Sequence, residues 1–227
     1  MLPTLLSLSL TQCSEAEKET KDAKDQKTSE EAKKAVELFD HKTLKGWKTV
    51  NPNFAKYWSV VDGVITVSNG KEKMPTNTYL ATEKDYEDFE FTCKFRLTGD
   101  HATGFINSGV QYRSNIHTAE GKAPKIVGYQ ADLGKGYWGN IYDEHRRGHL
   151  VKANLTEVLK QGFKEEAWGT YKSVCQGDHH QVYINGLLVA DYTEKDAKMP
   201  KKGVIALQLH SGGVAKMEYK DIFVKEL

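Results

Sequence analysis

Between Asp88 and Leu97 the chain alternates: Phe89, Phe91, Cys93, Phe95 and Leu97 are apolar, with Glu90, Thr92, Lys94 and Arg96 between them. A period of two is the pattern of a half-buried antiparallel strand. It recurs from Val36 onward. Tyr57–Val61 and Val64–Val67 flank Asp62-Gly63, and Gln181–Ile184 and Leu187–Val189 flank Asn185-Gly186. Two-residue connections of that composition predict tight hairpins. Gly203–His210 and Met217–Val224 supply closing strands. The one helical signal spans 154–160, where Asn154 is the expected cap and Glu157 follows three residues on. There is no internal repeat with a period of about 20–50 residues, which argues against a propeller. Many short strands with turn signals predict an all-β antiparallel β-sandwich over residues 35–227, with one or two short helices.

The polar strands say more. Within 104–113, Asn107, Gln111 and Arg113 fall on one face, opposite Ile106, Ser108, Val110 and Tyr112. Within 127–133, Gln130 and Asp132 oppose Tyr129, Ala131 and Leu133; within 203–210, Gln208 and His210 oppose Ile205, Leu207 and Leu209. An ordinary solvated face is dominated by Lys, Glu and Thr, as in 88–97. Amides, a guanidinium, a carboxylate and an imidazole suit directional hydrogen bonding, the means by which sugar hydroxyls are recognised. If these strands are neighbours, they form a polar floor on the side away from the core.

The segment 134–148 adds glycines, the aromatic rings of Tyr137, Trp138 and Tyr142, and the carboxylates of Asp143 and Glu144 beside Arg146 and Arg147. Consecutive residues of an extended chain point to opposite sides, so Asp143 and Glu144 do not act as a pair. No convincing pair of catalytic carboxylates emerges from the spacing. Among the eight histidines, His210 stands out because it ends a strand in phase with Gln208.

Charge excludes some classes. With 32 Lys and Arg against 31 Asp and Glu, the net charge is +1, which leaves no footprint for nucleic acid or an anionic membrane. Residues 1–13 read as a signal segment ending in a lipobox-like Leu-Thr-Gln-Cys, making Cys13 a candidate lipid anchor and the protein an exported, periplasmic or cell-surface one. Gln12 stands where a small residue is usual, and no basic region precedes the apolar run. Residues 14–34 have the composition of a charged tether. A membrane is therefore expected as a partner only through that anchor. Cys93 lies in the apolar phase of its strand and reads as a buried free thiol, although a disulfide with Cys175 is left open by sequence alone.

Eight segments in order carry a resemblance: ELFDHKTLKGWK at 37–48, WSVVDGVITV at 58–67, NSGVQYR at 107–113, GYQAD at 128–132, GYWGNIYDE at 136–144, INGLLVADY at 184–192, GVIALQLHSGG at 203–213 and YKDIFVKEL at 219–227. The chain from about Glu37 onward resembles the 3-keto-disaccharide hydrolase family. That resemblance implies a jelly-roll sandwich of the concanavalin A-like lectin/glucanase type and cleavage of glycosides oxidised at carbon 3. It further implies that His210, Asp132 or Glu144 is the general base, and that Arg113 and Gln130 hold the keto or enolate oxygen. Gln208 would fix hydroxyls, with Asn107 and Gln111 in the same floor, and Tyr137, Trp138 or Tyr142 would stack on the ring. A divalent metal ion on Asp132, Glu144 and His210 is the alternative stabiliser of the enolate. Gln130 stands where a Glu is common in that family, which removes one candidate base. The competing expectation is a non-catalytic carbohydrate-binding module on the same fold, since fold alone does not decide function.

Overall fold

Alternation becomes strand wherever one side can be buried. Over residues 33–227, which the computed structural model describes, the chain opens with the short strands β1 (Val36–Glu37) and β2 (Trp47–Thr49), followed by a 3₁₀ turn at Pro52–Tyr57. Then come β3 (Trp58–Val61), β4 (Val64–Ser68), β5 (Thr78–Tyr86), β6 (Phe89–Asp100), β7 (Asn107–His117) and β8 (Lys125–Gly134). The order continues with β9 (Ile141–Glu144), β10 (Gly148–Val151), helix α1 (Thr156–Lys160), β11 (Gly169–Gln176), β12 (His179–Ile184), β13 (Leu187–Thr193), β14 (Gly203–Leu209) and β15 (Val214–Glu226).

Two antiparallel sheets result. One runs β13-β12-β11-β6-β15-β4-β3, with β1 added on β15; the other runs β10-β9-β8-β7-β14-β5-β2. Phe89, Phe91, Phe95 and Leu97 from the first meet Val110, Tyr112, Leu133, Leu207 and Leu209 from the second in one core. Both predicted hairpins form. Asp62 and Gly63, like Asn185 and Gly186, have consecutive positive φ angles (50° and 74°; 49° and 79°), which the mirror-image two-residue turn requires.

Two expectations are adjusted. Helix α1 begins at Thr156, and the Asn154 side chain accepts from the Thr156 N–H at 3.1 Å without capping the helix, while Glu157 bonds Lys160 and not the cap backbone. Cys93 and Cys175 are both free. They sit opposite Tyr171 and Phe89 in the β6–β11 register, four residues apart along β11, so neither faces the other. Burial pushes both thiols up, Cys175 to about 12, which leaves them unreactive.

The seven-stranded sheet brings the three polar strands side by side, β8 next to β7 next to β14. Its register aligns Tyr79, Gln208, Gly109 and Asp132 in one row across four strands. The next row on the same face is Ala81, Ala206, Gln111, Gln130, Tyr142 and His149.

Candidate active site

Those two rows floor a cavity of about 250 Å³, bordered by Phe105, Asn107, Gln130, Asp132, Tyr137, Tyr142, Glu144, His149 and His210. Small residues keep the floor low where it must be. A Cβ on Gly109 would lie 2.7 Å from Gln130 Cδ, so the Gln130 side chain crosses directly over that glycine. Gln130 thereby donates to Asp132 Oδ1 at 2.6 Å and accepts from Gln111 Nε2 at 2.9 Å, while Gln111 accepts from Ser114. This chain of hydrogen bonds fixes the orientation of the carboxylate from beneath.

Asp132 is 5 % exposed. Burial holds its carboxyl up at about 7; the Gln130 N–H pulls it down, and the nearby Glu144 charge pushes it further up. A carboxyl that changes charge near neutrality has the property required of a general base or acid. Glu144 follows one step round the wall. It accepts from the Tyr79 hydroxyl at 3.3 Å, and the His145 ring lies 3.4 Å away. Tyr79 in turn accepts from Asn77 and Gln208 at 3.3 and 3.2 Å. Burial, followed by the Glu144 charge, raises the Tyr79 hydroxyl far above its ordinary range, so it remains a donor.

His210 Nδ1 lies 2.6 Å from the Ser211 carbonyl oxygen, which only accepts. Nδ1 therefore carries a proton, and in the neutral ring Nε2 holds the free lone pair. The ring stands edge-on to Phe105 at 5.0 Å, Phe105 meets Tyr137 at 5.6 Å, and Tyr137 stacks on His149 at 6.0 Å. An aromatic rim thus faces a polar floor.

Four residues expected to touch a ligand do not border the cavity. Arg113 is the largest departure: a bulge between Tyr112 and Asn115, with Arg113 at φ 46°, breaks the strand phase and turns its side chain away from the floor. There, 1 % exposed, it donates to the Glu87 and Gly177 carbonyls at 2.7 Å and to Asp88 at 2.8 Å, with the His180 ring 3.4 Å away. It fastens the β5–β6 turn to the β11–β12 turn. Trp138 points into the core, stacked on Phe95 at 5.8 Å and edge-on to Phe163. Gln111 and Gln208 are fully buried and act through Gln130 and Tyr79. Asp143 faces inward, held by Arg146 and Arg147 at 2.6 Å each, as opposite-side placement from Glu144 requires.

The sequence reading also missed residues. Phe105 and His149 border the cavity and Tyr79 supports it. Tyr79 and His149 are in phase with Gln208 and Tyr142 across strand pairs, which only the register shows. Asp132 and Glu144 do share one cavity, a juxtaposition the spacing did not reveal. Together with His210 they make no metal-ligand set: among the described residues no three His, Cys, Asp or Glu side chains converge for that purpose. Gln130 already engages one Asp132 oxygen and Ser211 engages His210 Nδ1. These bonds orient the two groups and leave the second Asp132 oxygen and His210 Nε2 open; with no converged ligand set among the described residues, no step is routed through a metal ion.

Residues 34–225 match the model of the 3-keto-alpha-glucoside-1,2-lyase-like domain. The chain belongs to this family. Comparison with curated proteins gives no significant match. Among solved structures, a Parabacteroides distasonis ATCC 8503 protein provisionally assigned as a glycosyl hydrolase superposes with a TM-score of 0.60 at 19% identity, covering 85% of this chain and 94% of that one. The carbohydrate-binding module CBM66 from Bacillus subtilis gives 0.57 at 14% identity, covering 80% and 96%. The exoplasmic/lumenal domain of VIP36, solved with Ca²⁺ and Man3GlcNAc, gives 0.57 at 9% identity, covering 85% and 88%. At such identities these likenesses establish a lectin-like sandwich fold for the family member. The expected anchor at Cys13 and residues 14–32 of the expected tether lie outside the described residues, within which no helix is long and apolar enough to cross a membrane.

Proposed function

We propose that this cavity binds a carbohydrate and cleaves the glycosidic bond of sugars already oxidised at carbon 3. The observation that carries the proposal is Asp132, a buried carboxyl held near neutrality at the floor of an aromatic-rimmed cavity. A ketone at carbon 3 acidifies the carbon-2 proton, so a base of this strength is matched to the task. Asp132 takes that proton, and the C–H electron pair forms the carbon 2–carbon 3 double bond as the ketone becomes an enolate. The Asn107 amide, whose side chain has no hydrogen-bond partner among the described residues, is the donor for the enolate oxygen. The ketone then re-forms, a carbon 1–carbon 2 double bond appears, and the leaving group departs from carbon 1 with the proton that Asp132 took from carbon 2. Water adds to carbon 1 and gives its proton to Asp132 by way of His210 Nε2, and Asp132 passes it to carbon 2 and is again a carboxylate. No oxidant or reductant enters the balance.

The shared cavity of Asp132 and Glu144 favours a second reading, an ordinary glycosidase with a carboxyl pair. One experiment separates the readings: residues 35–227 are incubated with a 3-keto-glucoside and with its unoxidised parent, and release of the leaving group is followed. Release from the keto sugar alone supports elimination. Release from both supports the carboxyl pair. Binding by calorimetry with no release supports the non-catalytic module. Export and lipidation at Cys13 belong to the same proposal, and the mass of the mature N-terminal peptide tests them.

A further inference from the structure

The first cavity does not stand alone. A second, of about 450 Å³, is bordered by Phe54 of the 3₁₀ turn, Lys125, His145, Asn77, Tyr79 and Ser211, and it shares His210 with the first. The partition between them is built from Tyr79, His145 and Asn77. Tyr79 borders the second cavity while its hydroxyl bonds Glu144 in the first, and His145 borders the second while its ring lies 3.4 Å from Glu144. Asn77 braces the same wall, accepting from the Ser211 backbone N–H and hydroxyl at 3.0 and 3.1 Å and donating to Tyr79. Size adds a reason to join the two. A cavity of about 250 Å³ falls below the roughly 300–1,000 Å³ of small-molecule sites, and the two together lie within that range.

We propose that the second cavity is the leaving-group compartment and that it takes a second sugar ring or a comparable polyhydroxylated group. This rests on the elimination reading. The bond to be broke lies across the Tyr79–Glu144–His210 partition, with the oxidised ring over Asp132 and the departing ring between Phe54 and Lys125. Phe54 offers a half-buried ring face to sugar C–H groups, and the exposed Lys125 and His145 offer donors to hydroxyls. Specificity for the leaving group therefore resides in Phe54 and Lys125, outside the catalytic floor.

The test compares two substrates with the same oxidised ring, a 3-keto-disaccharide and methyl 3-keto-glucoside, in wild type, Phe54→Ala and Lys125→Ala. Both side chains are at least partly exposed, so each variant is expected to fold. For Phe54→Ala, kcat/KM on the disaccharide is expected to fall about 10-fold, equivalent to 1.4 kcal/mol of transition-state binding, with the methyl glycoside unchanged. Equal losses on both substrates, or none on either, overturn the compartment. If wild type turns over neither, the elimination reading fails separately. The compartment is then judged by calorimetry with the unoxidised disaccharide and methyl glucoside. Tighter binding of the disaccharide that Phe54→Ala removes upholds it, and equal binding overturns it.

Discussion

At pH 8 the Asp132 carboxyl is largely ionised although it is 5 % exposed, so replacing it with Asn is expected to stabilise the protein while abolishing turnover. The side chain keeps its shape, and its amide oxygen still accepts from Gln130. Burial raises the carboxyl from 3.8 to about 7 in the folded protein. Between those pH values the native state holds a proton that the unfolded chain has released, so wild-type stability falls as pH rises through the window. Each pKa unit is 1.36 kcal/mol, so the loss totals about 4 kcal/mol above pH 7. Asp132→Asn lacks this titration. Urea unfolding of both proteins should show a stability gap that widens by about 1.4 kcal/mol per pH unit between pH 4 and 7 and then stays level. A gap that does not change with pH would mean that the carboxyl titrates normally in the native state. The proposed base would lose its main support.

Gln130→Met removes the N–H that lowers Asp132, at a loss of about 1.5–3 kcal/mol for a hydrogen bond to a charged group. The acidic limb of the kcat/KM profile should move up by about 1–2 pH units, the conversion of that energy at 1.36 kcal/mol each. Arg113→Met leaves the Glu87 and Gly177 carbonyls without their donor, while the half-exposed Asp88 keeps the Gly177 N–H, and should cost about 2–4 kcal/mol by denaturant unfolding. The KM of whatever Arg113→Met protein remains folded should be unaltered. Trp138→Ala opens the core beside Phe95 and should lower stability by about 3–5 kcal/mol. Tyr137→Ala, on the cavity rim, should instead weaken ligand binding by calorimetry and leave the unfolding midpoint almost unchanged.

The period of two and the Asp-Gly and Asn-Gly turns determined the strands and hairpins, because a strand with one buried face needs nothing beyond its own alternation to declare which side is wet. The same property marked Gln130, Asp132, Gln208 and His210 as one polar surface, since each lies opposite apolar neighbours on its own strand. Alternation holds only while the strand is regular. The bulge at Arg113 cannot be read from residue types, and one positive φ moved the strongest cation from the floor to the joint between two turns. Nor does alternation rank residues within a loop, so Trp138 and Tyr137, adjacent and alike in chemistry, parted to core and rim. Tertiary structure alone decided that Glu144 meets Tyr79 from a strand 65 residues away and that Asp132 borders the same cavity as Glu144. Cross-strand register sets those meetings, and register depends on every turn and bulge between the partners. The burial that tunes Asp132 is likewise a property of the packed neighbours, and no stretch of its own sequence carries it.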